Sequence, residues 1–265
     1  MNHFKIDSPT CISFSGGRTS AYMLWRVLQE NNGLPEEAKV CFANTGKEDE
    51  ATLRFVDRCS KEWGVEIIWL EFRAEPPGFA VVDFESSSKK GEPFEALITK
   101  KNYLPNTFAR FCTTELKILP MKKYLASLGW NDFATFVGIR ADEPRRVAKM
   151  RDNKDEKLTP LASAGVSNFE VLDFWSKQPF NLETVTVDGN SLLSNCDLCY
   201  LKKPAHLLNL VKSNPERAIW WADQESRIGA RFNNAIPAYK DMINFVSNQR
   251  ELFDGIDGID CFCGD

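Results

Sequence analysis

The stretch Cys11-Ile12-Ser13-Phe14-Ser15-Gly16-Gly17-Arg18-Thr19-Ser20-Ala21-Tyr22-Met23-Leu24-Trp25 decides the fold. It opens on a short apolar run, passes through a glycine loop, and behind the loop Ala21, Leu24, Trp25 and Leu28 recur at helical spacing. The order is strand, loop, helix, with Asn32-Gly33 as the helix stop. A loop so placed gathers backbone N–H groups and a helix N-terminus at one spot, which suits an anion such as phosphate. Gly16 and Gly17 let the backbone come close, Ser15 and Ser20 bring hydroxyls, and Arg18 brings charge. The loop has neither the Lys-Ser/Thr end of a P-loop nor the G-x-G-x-x-G dinucleotide pattern.

The alternation continues downstream. Val40-Cys41-Phe42-Ala43 predicts a second buried strand ending at Asn44-Thr45-Gly46. Thr45 with Glu48 three residues on predicts a capping box, for a helix that carries Phe55, Val56, Cys59 and Trp63. Val65 to Leu70 is a third strand, residues 76–93 a Pro- and Ser-rich excursion, Pro120 the start of a helix bearing Met121, Tyr124, Leu125 and Leu128, and Phe133 to Ile139 a fourth strand. Strands separated by single helices need crossovers, so the expectation is an α/β fold, a doubly wound parallel sheet of Rossmann-like form over residues 1–165. Leu207-Leu208, Leu210-Val211, Trp220-Trp221, Met242 and Phe245-Val246 predict short helices. Residues 166–265 are therefore expected to form a helical, Cys-containing appendage packed on that domain.

Composition narrows the function. The 265 residues are 43% hydrophobic and 26% charged, which excludes a collagen-like or disordered chain. Lys+Arg 33 against Asp+Glu 37 gives a net charge of −4, so the chain lacks the bulk positive charge of a protein that coats nucleic acid. Phosphate binding has to be local, and Lys89-Lys90, Lys100-Lys101 and Arg145-Arg146 are the local basic pairs. No apolar run approaches the roughly 20 residues that span a bilayer, and Met1 to Pro9 holds no secretory pattern, so a cytoplasmic protein without a membrane partner is expected. There the 8 Cys stay reduced, which points to metal or thiol chemistry, while only 2 His, His3 and His206, leave little room for His-based catalysis. Cys11, Cys41 and Cys59 sit in apolar patterns and read as core residues. Cys112, Cys196, Cys199, Cys261 and Cys263 remain, and Cys196-x-x-Cys199 can place two thiolates on one metal.

At this point a resemblance adds to the residues. Ser15 to Ser20 resembles the S-G-G-x-x-S pyrophosphate loop (PP-loop) of the adenine nucleotide α-hydrolase-like enzymes. Asn44-Thr45-Gly46, Arg110-Phe111-Cys112-Thr113-Thr114-Glu115-Leu116-Lys117-Ile118-Leu119-Pro120 and Gly138-Ile139-Arg140-Ala141-Asp142-Glu143-Pro144-Arg145-Arg146 resemble, in family order, the phosphoadenosine phosphosulfate (PAPS) reductase family. Cys196-Asp197-Leu198-Cys199 extends the match. The resemblance implies an adenine nucleotide, ATP or a sulfonucleotide, with Ser15, Gly16, Gly17, Arg18, Thr19 and Ser20 at its phosphates and Asn44 and Thr45 at the nucleoside. It also implies that Arg18, Lys117 and Arg140 balance anionic charge. Arg18 and Thr19 stand where ATP-cleaving members carry Lys and an acidic residue, which leaves Asp142 and Glu143 as the nearest acidic candidates for Mg2+ or a water.

In the iron–sulfur branch of that family, an early Cys pair joins a later C-x-x-C to hold a 4Fe–4S cluster. Here Phe111 stands at the first early position, so the resemblance implies Cys112, Cys196 and Cys199 as ligands, with the fourth from the tail. Cys263, beside Gly264, is favoured there over Cys261. Structural zinc on Cys196, Cys199, Cys261 and Cys263 is the alternative. The pattern resembles the ATP pyrophosphatase component of DNA phosphorothioation systems. The implied activity is adenylylation of an acceptor, DNA being one candidate, for iron–sulfur-assisted sulfur transfer from a cysteine desulfurase or other sulfur donor. A PAPS or adenylyl-sulfate reductase with a terminal Cys nucleophile is the competing enzyme, and a nucleotide-binding, redox-sensing subunit without turnover is the competing class.

Overall fold

The structure, a computed structural model, describes residues 2–151, 157–184, 186–187, 190–191, 193 and 196–253. In chain order the elements are β1 (Thr10–Phe14), α1 (Arg18–Asn31), β2 (Ala38–Asn44), α2 (Glu50–Trp63), β3 (Ile67–Phe72), β4 (Phe79–Val82) and α3 (Glu92–Lys101). There follow α4 (Phe111–Thr113), a π turn (Thr114–Ile118), α5 (Leu119–Ser127), β5 (Ala134–Val137), α6 (Pro144–Arg151), β6 (Lys157–Leu158), α7 (Pro160–Ser163) and α8 (Asn168–Ser176). A short antiparallel pair, β7 (Thr186–Val187) with β8 (Asn190–Ser191), precedes α9 (Pro204–Ser213), α10 (Arg217–Ile228) and α11 (Tyr239–Phe253).

The 6-stranded sheet runs β4-β3-β2-β1-β5-β6. β1 pairs in parallel with β2 and with β5, β2 with β3 and β5 with β6, while β4 runs antiparallel on the edge. This is the expected Rossmann-like α/β sheet, followed by C-terminal helices. Chain order reverses direction between β1 and β5, so the crevice beyond their C-terminal ends is the topological switch point where ligands bind in such sheets. Ser15 to Gly17 and Gly138 to Glu143 leave the sheet at that place.

The chain divides into two compact units, Met1–Lys101 with Arg110–Asp197, and Asn102–Ala109 with Leu198–Asp265. The sheet unit thus runs past the expected boundary at residue 165. The reason is aromatic packing: Trp175 of α8 is fully buried against Phe55, Trp63 and Phe180, and its indole N–H donates to the Arg18 carbonyl at 2.9 Å. In the helical unit, Tyr200, Trp221, Phe232 and Tyr239 stack as an aromatic core, and the Tyr239 hydroxyl donates to the Leu198 carbonyl at 2.6 Å.

Three local expectations need correction. The excursion at 76–93 holds the edge strand β4 and the start of α3, both invisible to a reading that stopped at its prolines. The helix expected from Pro120 begins at Phe111; Pro120 cannot donate to the Leu116 carbonyl, and the ladder widens into the π turn just before it. Thr45 and Glu48 do bond each other, but Asp49 is the α2 cap, its carboxylate accepting from Ala51 N–H at 2.9 Å.

Candidate functional site

Gly16 sets the loop after β1. Its φ is +76°, and a Cβ there would lie 2.6 Å from the Thr52 methyl, so only glycine fits. The Ser20 hydroxyl donates to the Gly17 carbonyl at 2.9 Å and accepts from the Ser15 N–H at 3.1 Å and the Ser15 hydroxyl at 3.0 Å. Ser20 is buried and therefore shapes the loop, while Ser15 is exposed at its surface. Gly17 caps α1 without any side-chain hydrogen bond, and the first turn carries no acid. The leading N–H groups of a 14-residue helix therefore point out of the loop uncapped.

Across the switch point, Gly138 presses against the first turn of α1, where a Cβ would meet the Ser20 Cα at 3.0 Å. This approach brings Arg140 to Thr19, whose hydroxyl accepts from its guanidinium at 3.1 Å. Arg140 is also held by Asp142 at 2.9 Å and by Glu143 at 3.5 Å, with 16% of its side chain exposed. Burial pushes the Asp142 carboxyl up, but the Asn168 N–H and the Arg140 guanidinium outweigh it and hold the group below the usual carboxylate range. Glu143 accepts the Arg140 N–H at 3.1 Å and pairs with Arg146. Asp142 and Glu143 thus orient Arg140. Arg18 turns the other way: its guanidinium donates to the Asn181 carboxamide and the Leu182 carbonyl, each at 2.7 Å, and desolvation lowers its pKa from the usual value.

The ends of β2 and β3 form a second cluster. Glu71, fully buried, accepts from Asn44 Nδ2 at 2.7 Å, from the Ser88 N–H at 2.6 Å, from the Ser88 hydroxyl at 2.9 Å and from Arg73 at 3.0 Å. Asn44 also donates to the Ser88 carbonyl at 2.8 Å and accepts the Gly46 N–H at 3.0 Å. Its side chain is spent on fixing the turn. Thr45 is likewise buried, with its N–H and hydroxyl both donated to Glu48 at 2.8 Å. The other Glu48 oxygen is buried without a hydrogen bond, and Lys117 Nζ lies 3.6 Å from it.

Cys196 lies in this cluster, its sulfur 3.5 Å from the Thr45 hydroxyl and its backbone bridged to Glu48. The Asp197 N–H donates to the Lys47 carbonyl at 2.7 Å, and the side chains of Lys47 and Asp197 pair at 3.2 Å in a buried setting. The start of the C-x-x-C is therefore docked on the loop after β2. Cys112 is half-buried in α4, and Cys199, also half-buried, belongs to the helical unit, one residue into its Leu198–Asp265 segment. Among the described residues no group of three His, Cys, Asp or Glu side chains is arranged to hold a metal ion. Cys261 and Cys263 lie outside the described residues, so the described thiols do not complete a cluster or zinc site. Cys11, Cys41 and Cys59 are core residues: a hydrogen bond with Cys11 pushes the Cys41 thiol up, and burial pushes up that of Cys59. Among the described residues no helix is long and apolar enough to cross a membrane.

Sequence reasoning missed Glu71, Glu48 and the Lys47–Asp197 pair. Glu71 left a signal, an acid inside the apolar strand Ile67-Ile68-Trp69-Leu70-Glu71-Phe72, and Glu48 left one in its spacing to Thr45, read there only as a helix cap.

The chain is 32% identical over 217 residues to the uncharacterized nin region protein ORF290 of Escherichia phage lambda, spanning 77% of this chain and 70% of the relative. It is 28% identical over 184 residues to the uncharacterized protein MJ0066 of Methanocaldococcus jannaschii, covering 67% of this chain and 34% of that longer protein. Among solved structures, the U34-tRNA thiolase NcsA from Methanococcus maripaludis with its 4Fe–4S cluster is similar at 15% identity and a TM-score of 0.41, over 99% of this chain and 78% of that one. The family model of the phosphoadenosine phosphosulfate reductase domain matches residues 9–176, from the strand before the loop to the end of α8. The chain belongs to the phosphoadenosine phosphosulfate reductase domain family.

Proposed function

We propose that the protein is an ATP pyrophosphatase of this family, adenylylating an acceptor for sulfur transfer. The observation that carries the reading is the loop from Ser15 to Ser20 at the switch point, with an uncapped helix N-terminus facing Arg140 of the opposite strand end. The backbone N–H groups after Gly17 and the exposed Ser15 hydroxyl hold the β- and γ-phosphates. An acceptor oxygen attacks the α-phosphorus, the bond to the bridging oxygen breaks, and pyrophosphate leaves with the electron pair. Charge growing on that oxygen meets N–H groups and a cation already in place, so little reorganisation is needed. Arg140 neutralises charge from one side and Lys117 from the β2 side. Mg2+, when bound, adds charge neutralisation at the phosphates, with Asp142 and Glu143 the acidic residues beside Arg140.

The same reading includes DNA as the acceptor, a cysteine desulfurase or another donor of sulfur, a cytoplasmic setting, and a 4Fe–4S cluster on Cys112, Cys196, Cys199 and Cys263, with zinc as the alternative. The family's name favours one second reading, reduction of PAPS or adenylyl sulfate. The test is calorimetric titration of the anaerobically purified full chain with ATP and with PAPS, alongside iron and acid-labile sulfide analysis. ATP is expected to bind, with Ser15→Ala weakening it about 10-fold, the size of one hydrogen bond to a charged group. Iron should fall in Cys112→Ser and in Cys196→Ser. Binding of PAPS alone would overturn the ATP reading, unchanged ATP affinity in a folded Ser15→Ala variant would overturn the loop's role, and metal retained in both Cys variants would remove the cluster.

A further inference from the structure

α6 has the sequence Pro-Arg-Arg-Val-Ala-Lys-Met-Arg, with 4 cations and no carboxylate, in a chain of net charge −4. It starts directly after Glu143, in the loop that leaves β5 at the switch point. At about 100° per residue, Arg145, Lys149 and Arg146 share one side of the helix. The half-buried Val147 and Met150 lie on the other. Arg145 and Lys149 are exposed and, among the described residues, make no hydrogen bond or ion pair.

The contrast with the rest of the sheet unit is chemical. The exposed face of α2 is laced with i,i+4 pairs, Arg54–Glu50, Arg58–Glu62 and Lys61–Asp57. Lys100 donates to the Ala74 carbonyl, Lys101 pairs with Glu115, and Lys89 lies over the Phe84 ring. Like charges at i and i+4 cost a few tenths of a kcal/mol on an isolated helix, and α6 keeps such a pair with no acid to offset it. Its cations lie one turn apart, about 6 Å along the axis, a span that successive backbone phosphates can follow. Point cations on a helix face position a phosphate backbone without reading bases.

We propose that α6 is the docking surface for the phosphate backbone of a nucleic-acid acceptor, laid along Arg145 and Lys149 toward the crevice between β1 and β5. The proposal rests on the adenylylation reading with a nucleic-acid acceptor and deepens it by placing that acceptor on α6, and its binding step is measurable without turnover. Asp152, Asp155 and Glu156 follow in the sequence outside the described residues, so the test acts on α6 alone.

The experiment is fluorescence anisotropy of the full chain with a 20-nucleotide single strand and with the matching duplex, over a salt series and without nucleotide. Arg145→Ala/Lys149→Ala is compared with Arg54→Ala/Arg58→Ala on α2. The α6 variant is expected to bind at least 10-fold more weakly and to lose about 1.4 from the slope of log K against log salt on single strands, two phosphate contacts' worth. The α2 variant should match the unmodified chain, and ATP affinity should be unchanged in both. Failure of the unmodified chain to bind either oligonucleotide at low salt would overturn the proposal. So would equal losses in both variants, or α6-dependent binding to phosphatidylserine vesicles without binding to DNA. If DNA binding behaves as expected while ATP is not cleaved, the adenylylation reading fails and the docking surface stands.

Discussion

Replacing Glu71 with alanine is expected to destabilise the sheet unit by about 3–5 kcal/mol, the cost of removing one member of a buried charged network. The carboxylate is fully buried and is the common acceptor for Asn44, Ser88 and Arg73. Its loss leaves the half-buried Ser88 N–H and one of the two Asn44 Nδ2 hydrogens without their acceptor, while the other still reaches the Ser88 carbonyl. Asn44 then no longer fixes the Gly46 turn, so nucleotide affinity should fall together with stability. Ser88→Ala removes one hydroxyl donor and should cost about 1–2 kcal/mol. Urea denaturation checks both, and a Glu71→Ala loss below about 1 kcal/mol would show that the network does not hold the turn.

Arg140→Ala is expected to reduce pyrophosphate release by about 10²–10³-fold, the range for removing one donor aimed at developing charge. The guanidinium is the only group seen to link the first turn of α1, through Thr19, to Asp142 and Glu143 among the described residues. Without it two carboxylates face the incoming phosphates, which adds repulsion to the lost attraction. Arg140→Lys restores the charge but not the fork that reaches Thr19 and Asp142 together, so only partial recovery is expected. Steady-state rates and thermal melts of both variants decide the matter; an alanine variant with full turnover would make Arg140 a structural clamp.

The strand, loop and helix around Ser15 were legible because each is a local pattern: an apolar run, two glycines, then helical spacing. The expected parallel sheet followed from their repetition. The β4 edge strand, with exposed Val81, and the short α4 carry too little apolar periodicity to stand out beside prolines. Thr45 and Glu48 show how one spacing serves two purposes, since their hydrogen bonds form but the helix cap is Asp49. The candidate site was legible where it is contiguous, at Ser15–Ser20 and at Gly138–Arg140. It was hidden where topology assembles it. Asn44 and Glu71 are 27 residues apart, and Cys196 meets Thr45 across 151, separations that only the sheet order closes. Arg18 illustrates the converse: it sits in the loop sequence, yet its guanidinium is claimed by Asn181 and Leu182 from beyond α8.

The most direct measurement is product analysis of ATP labelled at the α-phosphate, incubated with Mg2+, a single-stranded DNA acceptor and the anaerobically purified full chain. Cleavage between the α- and β-phosphates predicts label in AMP or on the acceptor, an equal amount of pyrophosphate, and no ADP. Label recovered in ADP with release of inorganic phosphate would contradict the account. So would ATP left intact under conditions where the same preparation releases sulfite from PAPS.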